Sequence, residues 1–188
     1  MNKKVYDLID NYECYDEREE VDKNVILEFI RNNEDVLTRN NKIAHFTASA
    51  WITNKDRNKI LMIHHNIYNS WAWVGGHADG DDDFLHVAQK ETEEETGISN
   101  IKLLKDGIFG INIVTVDNHI KRGNIVNSHL HFDVEYLFEA DDSEKLKIRE
   151  DENSGVMWVD IDKVCEYSTE EKMKPIYKRL IDKLEAFK

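Results

Sequence analysis

The sequence predicts an α/β protein built on one mixed sheet, with helices near both chain ends and one in the middle. Two periodicities support this prediction. Apolar and polar residues alternate in residues 43–53 and 130–138, which is typical of strands, whereas apolar residues recur at helical spacing in residues 24–38 and 176–187. The predicted order is helix, strands, helix, strands, helix. Because the strands follow one another like hairpins, the pattern disfavours a doubly wound sheet.

The first 41 residues are predicted to form an N-terminal helical extension. Residues 1–23 carry apolar side chains at helical spacing and read as a short appended helix without a catalytic part. Residues 24–38 form a firmer amphipathic pattern, with Asp22 or Asn24 as the candidate N-cap. We therefore predict a helical extension over residues 1–41 and a main domain over residues 42–188.

The main domain is predicted to begin with a half-buried strand at 43–53. The further predicted strands are 59–65, 71–74, 101–104, 108–116, 130–138 and 156–161. The strand at 59–65 is predicted to be more buried than the strand at 43–53. Residues 117–128 are predicted to form a long loop and residues 140–153 a polar connection. Pro175 suits the first turn of a C-terminal helix.

Charge and composition narrow the functional classes. The 188-residue chain has a net charge of −13, which disfavours binding of a nucleic-acid polymer through a basic surface. It also means that an anionic substrate needs cations supplied locally, by a metal ion or a basic loop. The sequence shows neither a signal-peptide pattern nor a membrane-spanning apolar run, and the two cysteines, Cys14 and Cys165, suit a reducing compartment. We expect a cytoplasmic protein that does not bind membranes.

Residues 75–98 carry the strongest chemical signal. A glycine pair precedes an acidic turn and a helix with glutamates at positions 91, 93, 94 and 95. On a helical wheel Glu91 and Glu95 fall within the apolar face and Glu94 on its edge, whereas Glu93 points away. Carboxylates under an apolar surface need a cationic partner, and a hard divalent cation is the natural one. The alternative is a solvated run of charges.

This stretch resembles the sequence box that defines the Nudix hydrolases, G-x5-E-x7-R-E-U-x-E-E-x-G-U with U aliphatic. Six positions match: Gly76, Glu91, Glu94, Glu95, Gly97 and Ile98. Three depart from the pattern, with Asp82 in place of Glu, Lys90 in place of Arg and Thr92 in place of an aliphatic residue. In the family the first two positions form a pair that ties the loop to the helix, and lysine lacks the fork of a guanidinium group.

The resemblance implies a Nudix α/β/α sandwich that hydrolyses a diphosphate linkage in a nucleoside diphosphate linked to another moiety. It implies Mg²⁺, or alternatively Mn²⁺, as the cofactor. Glu94 and Glu95 would be the principal metal ligands, with the Gly75 carbonyl helping and Glu91 as a further ligand or the base. A later loop often adds one glutamate in this family. Glu152 is the candidate here, with Glu135 and Glu150 as alternatives.

Substrate contacts are expected around this box. Trp73 precedes the glycine pair and, like Trp71, could stack on a base or pack in the core. His77 follows the glycines and could touch the substrate, and Lys121 and Arg122 could meet its phosphates. The small-molecule, nucleotide-type substrate itself stays open, and the N-terminal helices could support a homodimer.

Two functional alternatives remain at this stage. One is a Nudix-fold module that binds a nucleotide without cleaving it, because Asp82 and Lys90 depart from the pattern. The other is a zinc protein using His129 and His131, which share one face of a predicted strand. An isopentenyl diphosphate isomerase, which shares the Nudix fold, is disfavoured because neither cysteine lies in residues 60–110.

Overall fold

The computed structural model describes residues 1–121 and 123–187, with the side chain of Lys121 left out. The helices of this part of the chain are α1 (Lys3–Asp10), α2 (Glu17–Asn32), α3 (Phe84–Thr96), α4 (Val164–Tyr167) and α5 (Lys174–Ala186), with a 3₁₀ turn at Ile161–Lys163. The strands are β1 (Ala44–Thr53), β2 (Lys59–His65), β3 (Ser70–Ala72), β4 (Val74–His77), β5 (Lys102–Leu103), β6 (Gly110–Val116), β7 (His119–Lys121), β8 (Asn124–Val126), β9 (His129–Glu139) and β10 (Asn153–Asp160).

A mixed sheet forms the middle layer. Its strands follow the order β10-β2-β1-β9-β5, with β3 beside β2, β4 beside β1 and β6 beside β9. Strands β1 and β9 are parallel, and their register runs from Ala44 opposite Leu130 to Thr53 opposite Glu139. The other pairings in the sheet are antiparallel.

Helices cover both faces of this sheet. Apolar residues of α1, α2 and α3 pack on one face around Phe46 and Phe132, and those of α4 and α5 pack on the other around Trp51 and Leu137. The predicted α/β class is therefore confirmed as an α/β/α sandwich. Within the part of the chain that the structure describes, no helix is long and apolar enough to cross a membrane.

Strand β1 corrects the prediction of a half-buried strand. All ten of its residues are buried, because it lies in the middle of the sheet with helices over both faces. On its polar face, which the alternation suggested was exposed, Thr47 and Ser49 donate hydrogen bonds to Asp133 of β9. Strand β2 occupies the predicted residues 59–65, and the predicted strand at 71–74 is divided between β3 and β4.

The N-terminal helices begin and end at residues other than those predicted. Helix α2 begins at Glu17, where the side chain of Asp16 accepts a hydrogen bond from Glu19 N at 2.9 Å, and it ends at Asn32. Asp22, a predicted cap, instead lies inside the helix and accepts a hydrogen bond from Ile113 N of β6 at 3.1 Å. The first turns of α2 were not predicted, because two of its charged residues, Glu19 and Asp22, are buried and paired and not exposed to solvent.

Residues 117–128 form a hairpin rather than the predicted long loop. Strands β7 and β8 pair with Ile120 opposite Ile125, and Gly123 has a φ of 80°. Only the backbone of Lys121 is described, and Arg122 lies outside the described residues. The proposed phosphate contacts of this pair therefore stay a prediction.

Candidate active site

The glycine pair is required by the close approach of three elements. Gly75 and Gly76 of β4 lie opposite Ser49 and Ala48 of β1. A Cβ atom on Gly75 would lie 2.6 Å from Ser49 Oγ, and one on Gly76 would collide with the carboxyl group of Glu91. The glycines therefore allow helix α3 to bring its glutamates directly over strand β4.

Helix α3 orients its glutamates differently from one another. The helix is capped by Asp83, which accepts a hydrogen bond from His86 N at 3.1 Å, and it ends at Gly97 with a φ of 76°. Glu95 is 2% exposed, Glu91 is half-buried, and Glu93 and Glu94 are exposed. The buried Glu95 accepts a hydrogen bond from Gly75 N at 3.2 Å, which links the helix to the glycine pair of β4.

A third carboxylate reaches this site from the connection before β10. Lys147 N donates to Thr96 O at 2.9 Å and Asn153 Nδ2 donates to Glu95 O at 3.0 Å, so that the connection is held against the end of α3. Glu152 thereby joins Glu91 and Glu95, and ligand oxygens of all three lie within 4.8 Å of one another. The alternatives lie elsewhere, since Glu135 is fully buried within the sheet and Glu150 is exposed.

Arg149 is the functional candidate that the sequence did not indicate. Its Nη1 lies 2.7 Å from Glu94 Oε2, 3.4 Å from Glu152 Oε2 and 3.8 Å from Glu91 Oε2. Glu94 therefore lines the pocket beside the three clustered carboxylates but is drawn towards a guanidinium group. The contact joins residues 55 positions apart, and periodicity along the chain carries no signal for such a pair.

Two carboxylates of α3, those of Glu95 and Glu91, have a raised pKa. Burial raises the pKa of Glu95 well above its ordinary value, and the hydrogen bond from Gly75 N offsets only part of this rise. Burial, together with the charges of Glu94 and Glu152, also raises the pKa of Glu91. Such a cluster is suited to a divalent cation, which would stabilise the ionised carboxylates and displace their protons.

The two residues expected to tie the acidic turn to the helix have other partners. Asp82 pairs with Lys4 of α1 at 2.5 Å, and Lys90 lies 3.8 Å from Glu94 on its own helix. Both pairs are exposed, so each adds little to stability.

The carboxylates line a pocket of about 330 Å³. Trp73 and His77 lie on its wall, and the Trp73 ring also contacts Tyr177 edge-to-face, with centroids 5.6 Å apart. Trp71 instead packs against His64 and Tyr167. The ring of Trp73 can therefore both pack against Tyr177 and contact a ligand in the pocket. The contacts of Trp71 are those of a packing residue.

Polar side chains of the two central strands form the floor of the pocket. Asp133 of β9 accepts hydrogen bonds from Thr47 Oγ1 at 2.5 Å and from Ser49 Oγ at 2.7 Å. Burial raises the pKa of Asp133, and burial together with the charge of Asp133 raises that of Glu135 well above its ordinary value. The alternation of β9 placed these acids on one face, but it did not reveal that this face is buried.

Histidines gather at one end of the same floor. His129 Nε2 lies 3.1 Å from His131 Nε2, and His45 and His77 add ring nitrogens within 4.8 Å of both. Burial and the neighbouring imidazoles lower the pKa of His131 to about 2, so this ring stays neutral. The predicted pair is thus part of a group of four.

A mixed sheet between helices, with a glycine pair of strand β4 facing the glutamates of one helix, defines the class of this protein as an α/β/α sandwich with an acidic pocket. The family model described as NUDIX domain matches residues 44–184. The chain belongs to the Nudix family. The predictions of the family and of the enzyme class, a Nudix pyrophosphohydrolase, are therefore confirmed.

Known proteins resemble the chain over most of its length. An RNA pyrophosphohydrolase from Pelagibacter ubique is 26% identical over 138 residues, which cover 71% of this chain and 86% of that protein. A C. elegans Ap4A hydrolase structure aligns with a TM-score of 0.52 at 17% identity, covering 76% of this chain and 96% of its own. The E. coli dihydroneopterin triphosphate pyrophosphohydrolase aligns with a TM-score of 0.56 at 13% identity, covering 73% and 94%. At these identities the structural matches show the fold alone.

Proposed function

We propose that this protein hydrolyses the diphosphate linkage of a nucleoside diphosphate linked to another moiety, with Mg²⁺ or Mn²⁺ as cofactor. The observation that carries the proposal is the convergence of Glu91, Glu95 and Glu152 beneath a pocket in a Nudix chain. The pocket volume of about 330 Å³ suits a small molecule. The net charge of −13 argues against a long nucleic-acid polymer as the usual ligand.

The glutamates have separate roles in this proposal. Glu94 and Glu95, with the carbonyl oxygen of Gly75, would be the principal metal ligands, and Glu91 and Glu152 would each serve as a further ligand or as the base. When bound, the ion supplies charge for the phosphate oxygens and lowers the pKa of the attacking water. Glu91 or Glu152 would accept the proton of that water, because both carboxylates lie beside the buried Glu95 and are more accessible than it.

The walls of the pocket would position the substrate. Trp73 would stack on the base or ring, and His77, which lines the same pocket, stays a predicted substrate contact. Lys121 and Arg122 stay predicted phosphate contacts from the β7–β8 hairpin. A cytoplasmic location and a homodimer likewise stay predictions.

The test is a substrate panel assayed with Mg²⁺ and with Mn²⁺. Deoxynucleoside triphosphates, ADP-ribose, dinucleoside polyphosphates and sugar nucleotides cover the small-molecule classes. A 5′-triphosphorylated RNA belongs in the panel because the curated relative is named an RNA pyrophosphohydrolase. Release of a monophosphate or of pyrophosphate supports the proposal. Ligand-induced thermal stabilisation without turnover across the panel would instead favour the nucleotide-binding module.

Substitution of Glu95 tests the site itself. Glu95→Gln keeps the size of a buried side chain but removes its charge, and we expect turnover to fall by about 100-fold or more while the melting temperature stays close to that of the wild type. Glu93→Gln is the matched control, because Glu93 is exposed on the opposite side of the same helix. Full activity of Glu95→Gln, or an equal loss in Glu93→Gln, would contradict the assignment.

A further inference from the structure

Four histidines meet where strands β1 and β9 of the central sheet begin and strand β4 ends. His45 lies on β1, His77 on β4, and His129 and His131 on β9. His45 is directly opposite His131, and His77 is opposite Thr47, two residues beyond His45. Because side chains two residues apart share one face of a strand, the sheet register alone places all four imidazoles on the same face.

Five of the six spacings between the rings are close to those of tetrahedral coordination. Metal–nitrogen distances of about 2.0–2.1 Å place the nitrogens of a tetrahedral site about 3.3 Å apart and the ring centres about 5.2 Å apart. The ring centroids of His45 lie 5.2, 4.9 and 5.1 Å from those of His77, His129 and His131. Those of His131 lie 4.8 Å from His77 and 5.0 Å from His129.

Hydrogen bonds on the outer side of the cluster fix which ring nitrogens are available. His45 Nδ1 lies 3.1 Å from Asn41 O and His129 Nδ1 lies 2.8 Å from Asn127 O. A carbonyl oxygen only accepts, so both Nδ1 atoms carry the hydrogen and both Nε2 atoms present a lone pair to the cluster. Backbone carbonyls commonly hold metal-binding imidazoles in this way.

His45 gives a second, independent sign of a missing ligand. Its side chain is 4% exposed, and its Nε2 is buried without a hydrogen-bond partner. A buried acceptor without a partner is destabilising, and such groups are rare in folded proteins. A hydrogen-bonded imidazole network without a metal would pair His129 Nε2 with His131 Nε2 at 3.1 Å, but it would leave His45 Nε2 without a hydrogen-bond partner.

We propose that His45, His77, His129 and His131 bind one structural Zn²⁺ ion beside the active-site pocket. Imidazole is a preferred ligand for zinc, and four protein ligands make a closed site without a position for substrate. The ion would tie β4, which contains Gly75 and Gly76, to β1 and β9. It would also add positive charge beside a pocket that must receive an anionic ligand on an acidic protein. This zinc site does not depend on the proposed hydrolysis.

The experiment measures zinc retained by the full-length protein. Protein freed of metal by chelation receives Zn²⁺ in the presence of excess Mg²⁺, is passed through a desalting column, and is analysed by atomic absorption. We expect one zinc per chain in the wild type and visible absorption bands of tetrahedral Co²⁺ when cobalt replaces zinc. Glu95→Gln should retain the zinc, which separates this site from the carboxylates.

Two variants remove single ligands with little disturbance. In His45→Asn and His129→Asn the amide nitrogen can still donate to the outer carbonyl, while the Nε2 ligand is lost. We expect both to lose the retained zinc and the cobalt bands. His64→Asn is the matched control, because His64 lies outside the cluster and bonds Ser154 Oγ at 2.8 Å. It should retain one zinc.

The outcomes separate the proposal from its rivals. A wild-type protein that retains no zinc would show that the imidazoles form only a hydrogen-bonded network, and zinc retained by His129→Asn would remove that residue from the site. Should His45→Asn fail to fold by circular dichroism, His129→Asn at the partly exposed rim decides the question. Loss of zinc in both variants with unchanged folding supports the proposal, whatever the substrate panel shows.

Discussion

At the scale of single residues, Glu94 and Glu95 illustrate how neighbours in the sequence differ in the site. Glu95 is buried against Gly75 N, whereas Glu94 is exposed and held 2.7 Å from Arg149. Arg149 also lies within 4.0 Å of Glu91 and Glu152. Its guanidinium group therefore provides, in the metal-free chain, part of the positive charge that a divalent cation would bring.

This arrangement predicts a competition between Arg149 and the metal. In Arg149→Ala the carboxylates lose their neighbouring cation, so we expect a lower melting temperature without added metal. We also expect a larger increase in melting temperature on adding Mg²⁺ than in the wild type, because the ion no longer displaces an existing partner. Thermal unfolding with and without Mg²⁺ measures both quantities.

The control for Arg149→Ala removes the same charge from the same connection. Lys145 is exposed in that connection, so Lys145→Ala should leave the Mg²⁺-dependent shift at its wild-type value. A smaller Mg²⁺ shift in Arg149→Ala than in the wild type would mean that Arg149 supports metal binding instead of competing with it.

The sequence predicted the residues of α3 better than those that meet them. Helical periodicity correctly placed Glu95 inward and Glu93 outward, because both directions follow from one helix axis. The roles of Arg149 and His45 were not predicted. Loop geometry brings Arg149 to its partners, and the parallel pairing of β1 with β9 brings His45 to its own. Neither feature has a periodic signature in the chain.

At the scale of elements, β9 carries acids into a position where water cannot reach them. Glu135 is fully buried, accepts a hydrogen bond from Asn112 and lies next to Asp133 in the same face. Its pKa is raised well above 4.5 by burial first and by the charge of Asp133 second. The folded chain therefore keeps a proton on Glu135 that the unfolded chain releases near pH 4.5.

Linkage gives this proton a measurable effect on stability. Because the folded state binds this proton more tightly, the contribution of Glu135 to the free energy of unfolding is fully present below about pH 4.5 and is lost as the pH rises towards the raised pKa, by up to about 1.4 kcal/mol per pH unit. Glu135→Gln removes the proton but keeps an acceptor for Asn112. We measure the free energy of unfolding in urea from pH 4 to pH 8. As the pH rises, the free energy of unfolding of the variant should increase relative to that of the wild type. Parallel curves would contradict this expectation.

Elements differed in how well the sequence predicted them. Strand β2 was predicted over its full length because its apolar run ends in polar turns on both sides. The two-sided burial of β1 and the early start of α2 were missed for a shared reason. In both elements, buried polar side chains form hydrogen bonds with partners that are distant in the sequence. A polar stretch of sequence therefore wrongly predicted exposure to solvent.

At the scale of the whole molecule, one buried charge network joins the N-terminal helices to the C-terminal helix and the sheet. Glu19 of α2 is 0% exposed and accepts hydrogen bonds from Tyr12 Oη at 2.6 Å and from Lys183 Nζ of α5 at 2.7 Å. Lys183 Nζ also donates to Tyr12 Oη at 2.8 Å and lies 5.1 Å from the centre of the Phe109 ring.

The same network continues towards the pocket floor. Arg179, one turn of α5 before Lys183, lies 3.6 Å from Glu19 Oε1 and donates to Asn112, which in turn donates to Glu135. Apolar residues of α1 and α2 also belong to the core cluster that contains the sheet. The separation of residues 1–41 as an extension stays a prediction, and these contacts imply that the extension stabilises the remainder of the chain.

Removing Glu19 tests that implication. In Glu19→Ala the ammonium group of Lys183 stays buried without its carboxylate, and loss of one partner from a buried pair costs about 3–5 kcal/mol. We expect the free energy of unfolding to fall by that amount in urea titrations monitored by circular dichroism. Glu20→Ala, an exposed neighbour with the same change in charge, should change it by less than about 0.5 kcal/mol.

A paired replacement separates the charge from the packing it accompanies. The double variant Glu19→Met with Lys183→Met removes both charges and fills the space with apolar atoms, so most of the stability lost in Glu19→Ala should return. If the double variant is as unstable as Glu19→Ala, the hydrogen bonds from Tyr12 and from the backbone N–H of Tyr15 hold these helices together instead. Recovery would show that apolar contact with the sheet is sufficient to hold the N-terminal helices in place without the ion pair.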